Sequence, residues 1–396
     1  MRPTCLFIIN GLGLGNSTRC DAVAEELADR GCQIHVLTSG NGVDYFRNSA
    51  SIQSLNSMPS FFYSGKNGGV SGWSTFQSLW SLLSIARAKK TELDKLLDQV
   101  RPEVAIIDSE YAISPLRRRG IPIIGLNTSE MVVTEYLKRQ CAPGTRSHFW
   151  FIEFTDYLFH KRSCDLVLSP FPLRTPTRHP KFRRIGLIAR RKIKQKAISA
   201  GTCSCPSPRQ VRRVVFMLSG SVHASKIPFE AYDLPFKIDV VGRSGESSEK
   251  VTYHGRQMDN TELLAAADAL VINGGYSAVS EAFVLRKPVF VIPVPGHAEQ
   301  FVNSSLVRDL GLGFVATETD ILAQMRTAFE ENRWIELKPA PSSIETNGGA
   351  EAAEAILAVA SRHPGPEREY RSTPGIRPES AQPALPTRRE VEALMR

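Results

Sequence analysis

Three short stretches of this 396-residue sequence join glycine turns to polar side chains at spacings suited to an anionic ligand. The first is Gly11-Leu12-Gly13-Leu14-Gly15-Asn16-Ser17, between an apolar run and a helical pattern. Glycines such as Gly13 and Gly15 let a ligand approach the backbone, and a helix start offers unpaired N–H donors at the positive end of its dipole. The spacing departs from the dinucleotide fingerprint, because G-x-G-x-x-G would need glycine where Asn16 stands. A tight turn required only by packing is the plainer reading of the same residues.

The second stretch runs from Val271 to Glu281 and places Gly274-Gly275-Tyr276-Ser277 after a strand and at the start of a helix. A diphosphate would find hydrogen-bond donors and a favourable dipole there. Glu281 lies four residues beyond Ser277, on the same face and one turn further in. At that depth a carboxylate can accept both hydroxyls of a ribose, although the dipole alone also favours a Glu near a helix start. The third stretch, Pro293-Val294-Pro295-Gly296-His297-Ala298-Glu299-Gln300, is a rigid loop after a strand. Glu299 and Gln300 supply acceptors and donors suited to sugar hydroxyls, or simple helix capping.

Residues Asn273 to Gly313 resemble the donor-binding segment of GT-B glycosyltransferases, especially the relatives (families 28 and 1) of the peptidoglycan N-acetylglucosaminyltransferase that makes lipid II. The resemblance rests on Gly274-Gly275, Glu281, Lys287-Pro288, Pro293, Glu299-Gln300 and Asn303. It implies Glu281 on the donor ribose, Glu299-Gln300 on the donor sugar, and backbone from Gly255 to Met258, including Arg256, beside the base. Ser219-Gly220-Ser221 is similar to the family's loop near the diphosphate. The implied donor is a nucleotide diphosphate sugar, with uridine favoured as base, and the implied chemistry is displacement with inversion. No cofactor and no metal is expected, since helix N-termini and loop amides can stabilise a departing diphosphate.

The first half departs from the family where its glycine loop commonly ends Gly-His, for here it reads Gly15-Asn16. An amide cannot take a proton, so a histidine-based mechanism is closed to this chain. Asp108-Ser109-Glu110, after the strand Val104 to Ile107, offers a replacement. Either Asp108 or Glu110 would serve as base if partial burial raises its pKa, while Asp108 as a cap is the competing reading. Two other functions remain open: a nucleotide-sugar 2-epimerase of the same fold, and a catalytically silent nucleotide-sugar-binding subunit.

These residues need elements to hold them. In the first half, apolar runs at Leu6 to Asn10, Gln33 to Thr38, Val104 to Ile107 and Ile121 to Leu126 alternate with helical patterns at Ser17 to Arg30 and Thr91 to Val100. The second half repeats the texture with strands Val211 to Leu218, Lys237 to Val241, Ala269 to Ile272 and Pro288 to Ile292, and helices Thr261 to Ala267 and Ser277 to Leu285. Continuous apolar strands joined by helices mark parallel sheets covered on both faces. The expected fold is α/β with two Rossmann-like domains facing a cleft: residues 1–170 on the acceptor side and 209–362 holding the donor. Between them, 171–208 reads as a connector, because Phe171 to Ala200 carries ten Lys and Arg and no acid. Residues 363–396, rich in proline and charge, read as a disordered tail.

A length of 396 residues exceeds what one core usually supports, in keeping with two domains. The net charge of +9 fits an anionic partner: a nucleotide, an acidic membrane leaflet or nucleic acid. No nucleic-acid motif accompanies it, so nucleic acid is the least favoured of the three. Seven scattered cysteines show no zinc spacing and suit a reducing cytosol. The N-terminal apolar run is too short for a signal peptide and no run reaches the ~18 apolar residues of a spanning helix. The expected location is the cytoplasm, with peripheral contact at the inner face of the plasma membrane. That contact would use the basic run and two aromatic stripes, Trp73, Phe76, Trp80 and Leu83, then Phe149, Trp150, Phe151, Phe154, Tyr157 and Phe159. The same stripes are compatible with plain core packing, and leave a lipid-linked acceptor or a small hydroxyl metabolite open.

Overall fold

The computed structural model describes residues 2–59, 72–139, 144–173, 175–177, 179–199, 211–218, 227–229, 233–331, 333 and 344–363, with the backbone alone for 72–83. Seven strands of the first half form one sheet: β1 (Thr4–Ile9), β2 (Gln33–Thr38), β3 (Ser54–Ser57), β4 (Val104–Asp108), β5 (Ile123–Leu126), β6 (Leu166–Pro170) and β7 (Phe182–Ile185). Their order is β3-β2-β1-β4-β5-β6-β7. Six more form a second sheet in the order β10-β9-β8-β11-β12-β13: β8 (Arg213–Met217), β9 (Lys237–Val241), β10 (Val251–Gly255), β11 (Ala269–Asn273), β12 (Val289–Ile292) and β13 (Gly313–Val315). All the pairings are parallel. Every residue of β1, β4, β11 and β12 is buried, as helices on both faces require.

The helices follow in chain order: α1 (Leu14–Asp29), α2 (Asn41–Phe46), α3 (Gly72–Val100), α4 (Ser114–Arg118), α5 (Ser129–Lys138) and α6 (Arg146–His148). A π-helical turn (Phe149–Glu153) leads into α7 (Phe154–Ser163), then α8 (Arg191–Ser199), α9 (Thr261–Ala266) and α10 (Tyr276–Val284). The last three are α11 (Ala298–Asp309), α12 (Ile321–Glu330) and α13 (Gly348–Ala360). Both sheets belong to one unit, Met1–Pro364.

Register brings the glycine loops to the sheet edges. Ile9 pairs with Asp108 across β1 and β4, so the first glycine loop and the Asp108 segment leave the same carboxyl edge. Asn273 pairs with Ile292 across β11 and β12, which sets the Gly-Gly turn beside the proline loop. Ligands of parallel α/β sheets gather at such edges.

The segment 171–208 holds more than a connector: β7 completes the first sheet and α8 follows it. Several of its cations are paired with acids from elsewhere in the chain. Arg184 meets Glu130, Arg191 meets Asp29, Lys192 meets Asp259, Lys194 meets Glu26 and Lys196 meets Glu262. From Arg184 to Lys196, much of the acid-free run in sequence is therefore neutralised in space. The chain also returns to its beginning. Ala352, Ala353, Ala355 and Ile356 of α13 share a core with Cys5, Phe7, Val23 and Leu27. The two crossings run side by side, with Leu187 N–H donating to the Glu345 carbonyl at 2.6 Å. A Cβ on Gly348 would stand 1.9 Å from the Gly186 carbonyl oxygen, so only glycine fits there. α3 extends well before the predicted Thr91 start, and α1 begins at Leu14 rather than Ser17, taking Gly15 and Asn16 into its first turn. Trp73, Phe76, Trp80 and Leu83 have side chains outside the described residues, as do 364–396 of the tail and residues 200–208.

Candidate active site

A cavity of about 890 Å³ lies between the carboxyl edges of the two sheets and is walled by both. Its second-sheet wall is the N-terminus of α10. Gly275 is the N-cap, extended at φ −67° and ψ 139°, and no side chain caps the first turn. Gly275, Tyr276, Ser277 and Ala278 all face the cavity, so the helix start opens into it with its donors and dipole. Gly274, singled out with Gly275, is absent from the cavity wall. A Cβ there would stand 2.7 Å from the Gln300 carbonyl oxygen, and Asn303 Nδ2 donates to the Gly274 carbonyl at 2.8 Å. Gly274 is a packing glycine.

Glu281 is buried and faces the cavity one turn inside α10. Arg190 grips it with two bonds, Nε to Oε1 at 2.5 Å and Nη2 to Oε2 at 2.7 Å, and also donates to Asn260 Oδ1 at 2.7 Å. Each carboxylate oxygen keeps a further acceptor position. Arg190 went unrecognised in sequence because it sits inside the basic run. On the same wall are Arg256, Met258, Glu299 and Gln300, the last fixed by accepting the Val294 N–H at 2.9 Å. Gly255 has φ +62°, a turn glycine that sets the path of Arg256 to Met258. Ser219, Gly220 and Ser221 lie outside the described residues.

The first-sheet wall is built around α1. Gly13 and Gly15 face the cavity, and Ser277 Oγ donates to the Gly15 carbonyl at 2.9 Å, so the two glycine turns touch. Asn16 also faces it, with Nδ2 donating to the Asn10 carbonyl at 3.2 Å and Oδ1 accepting from Arg19 at 3.3 Å. Arg19 sits below it, packed 5.5 Å over the Tyr276 ring. Burial opposes its charge but Asp108 outweighs it, and its pKa is raised.

Asp108 and Glu110 are placed differently from the sequence expectation. Asp108 is fully buried and held by Arg19 through Nε at 3.0 Å and Nη2 at 2.7 Å. Burial raises its pKa and Arg19 opposes the rise. Glu110 is buried against Lys89 Nζ at 2.6 Å and accepts the Tyr111 and Ala112 N–H groups. Neither lines the cavity; only Ser109 between them does, at φ +54°. Both acids are engaged behind the wall. Glu130 and Glu135 are likewise paired, with Arg184 and with Lys138 and Arg139.

Other ionisable groups stand where those were expected. Asp156 faces the cavity, accepting from Tyr111 OH at 2.8 Å and Asn127 Nδ2 at 2.9 Å, with His160 Nδ1 at 3.2 Å. Burial would raise its pKa, but His160, Tyr111 and Asn127 together hold it below the usual range. Glu153 is pushed well above that range by burial and by Glu299 and Asp156 nearby. Glu299 rises too, mainly by burial, with Arg19 opposing. His148, Glu153 and His297 each present a ligand atom within 4.8 Å of the others, a grouping that no local spacing in the sequence announces.

The family model described as Glycosyl transferase family 1 matches residues 4–147 and 216–331. An uncharacterized glycosyltransferase from Methanopyrus kandleri is 35% identical over 104 residues, 26% of this chain and 30% of that protein. Another from Methanosarcina acetivorans is 22% identical over 78% of this chain and 84% of its own length. A UDP-N-acetylglucosamine–N-acetylmuramyl-(pentapeptide) pyrophosphoryl-undecaprenol N-acetylglucosamine transferase from Methylobacterium is 27% identical over 38% of this chain and 41% of its own. Among solved structures, the calicheamicin glycosyltransferase CalG4 superposes with a TM-score of 0.60 at 18% identity, covering 91% of this chain and 99% of that one. Acinetobacter baumannii MurG gives 0.57 at 14% identity, covering 90% and 99%. At these identities the structural likeness speaks for the GT-B fold alone.

Proposed function

As the chain belongs to glycosyl transferase family 1, we propose that this GT-B glycosyltransferase moves a sugar from a uridine diphosphate sugar to a hydroxyl acceptor, with inversion at the anomeric carbon. The observation that carries this reading is the uncapped start of α10, open to a cavity walled by both sheets, with Glu281 one turn inside. The first-turn N–H groups would bind the diphosphate and stabilise its charge as it departs, without a metal ion on it. Glu281, steadied by Arg190, would accept the ribose hydroxyls. Glu299 and Gln300 would meet the donor sugar, and the Arg256 to Met258 wall would flank the base.

The acceptor proton would go to Asp156. It faces the cavity, is held ionised, and is oriented by Tyr111 and Asn127. A lipid-linked acceptor is supported by the π-helical turn, where Trp150, Phe151 and Ile152 are exposed and Ile152 reaches the cavity wall. Lys161 and Arg162 at the end of α7 would add attraction to an anionic leaflet at the cytoplasmic face of a membrane. No helix among the described residues is long and apolar enough to cross a membrane.

Calorimetric titration of UDP into the wild type and into Glu281→Gln tests the donor assignment. Loss of a charged hydrogen-bonding partner should weaken binding by about 1.5 to 3 kcal/mol. Equal affinity in the two proteins would remove Glu281 from the ribose.

A further inference from the structure

We propose that His148, Glu153 and His297 form a binding site for one divalent transition cation of the zinc class, tying the two walls of the cleft together. His148 ends α6 and Glu153 ends the π-helical turn, both on the first-sheet side, while His297 is the N-cap of α11 after the proline loop of the second sheet. Sequence separation is no obstacle, because all three residues line the same cavity.

The geometry is close to what such an ion takes. One ligand atom from each residue lies within 4.8 Å of the other two. His148 Nδ1 stands 3.5 Å from a Glu153 oxygen. Zinc bonds of roughly 2.0–2.1 Å in a tetrahedral shell put neighbouring ligand atoms about 3.4 Å apart, so that edge already fits. The imidazole centroids are 4.4 Å apart and tilted by 35°, an approach compatible with two rings converging on one centre.

Two of the ring nitrogens also lack a hydrogen-bond partner. Nδ1 of His148 and Nδ1 of His297 are both buried with no hydrogen-bond partner, an arrangement that costs free energy unless something occupies them. Glu153 is buried too, with a carboxylate oxygen facing the His148 ring nitrogen, so an oxygen ligand stands beside two nitrogen ligands. Two imidazoles and one carboxylate are a borderline donor set that selects zinc-like ions over magnesium, which prefers oxygen. Three protein ligands leave a fourth position for a water or an acceptor hydroxyl from the cavity. None of the three ligands belongs to α10, so the diphosphate contacts proposed above do not include them.

Equilibrium dialysis of the full chain against ZnCl₂ or MgCl₂, followed by metal analysis, tests the site. The expected result is one tightly held zinc per wild-type chain, no comparable magnesium, and zinc affinity lowered by at least 10-fold in both His148→Ala and His297→Ala. Cobalt(II) loading of the wild type gives a readout that needs no variant: four-coordinate ligand-field bands without thiolate charge transfer. Zinc held equally by the wild type and both histidine variants, no bound zinc at all, or a cobalt spectrum with thiolate bands would each overturn the proposal. UDP titration of the same samples separates this outcome from the donor assignment, which stands on Glu281 and α10.

Discussion

At the scale of single residues, what decides a carboxylate's role here is its partner. Asp108 and Glu110 were legible in sequence as acids after a cleft-facing strand, yet the sequence cannot announce that Arg19, 89 residues away, and Lys89 neutralise them. Asp108→Asn should therefore act on folding. Stripping the charge from a buried ion pair costs about 3 to 5 kcal/mol, read as a lower denaturation midpoint. A variant as stable as wild type would contradict that placement. Asp156→Asn should instead lower turnover by about 10²- to 10⁴-fold with UDP affinity near wild type, since it removes a general base. Turnover within a few-fold of wild type would exclude that role for Asp156. His160, buried beneath Asp156, adds a pH signature. Burial lowers its pKa but Asp156 more than compensates, and the folded value is raised. Its contribution is thus fully present below the unfolded value of about 6.5 and is lost as pH rises through the folded value. Melting curves from pH 5 to 9 should fall more steeply above about 6.5 for the wild type than for His160→Gln; parallel curves would contradict the pairing.

At the scale of elements, the sequence was most readable where the physics is local. The strands at Gln33–Thr38 and Lys237–Val241 and the helix following Gly275 stand within a residue of expectation, because apolar runs and glycine punctuation fix them. Where distant pairing decides, local sequence carries no signal. The acid-free run became β7 and α8 because its neutralising acids come from α1, α5 and α9 and their flanks. That pairing also moves the expected membrane contact. Paired cations on α8 have little charge left for lipid, whereas Trp150, Phe151 and Ile152 stay exposed. Sedimentation with anionic vesicles should show binding that falls with salt and drops strongly in Trp150→Ser/Phe151→Ser. Substituting Lys194 and Lys196 by Gln should change it little. Equal recovery in the supernatant with and without vesicles would contradict membrane contact.

At the scale of the whole molecule, two parallel sheets set their carboxyl edges face to face, and the cavity between them collects side chains separated by more than 280 residues. Gly15 touching Ser277, and α13 returning to the core of the first sheet, show how the halves are held in that arrangement. The fold class and the donor wall were legible because glycine turns after apolar strands are short-range signals. The acceptor wall was less so: Arg19, Asp156 and the His148 cluster converge only through tertiary packing. The central claim is transfer of a sugar from a nucleotide diphosphate donor held at α10. The most direct measurement is nucleotide release from a panel of uridine and other nucleotide diphosphate sugars, with and without lipid extract, for the wild type and Glu281→Gln together. The expected result is UDP release from at least one uridine sugar, stimulated by an acceptor in the extract and lowered by at least 10-fold in the variant. No release from any sugar nucleotide under any of these conditions, or equal release by the two proteins, would contradict it.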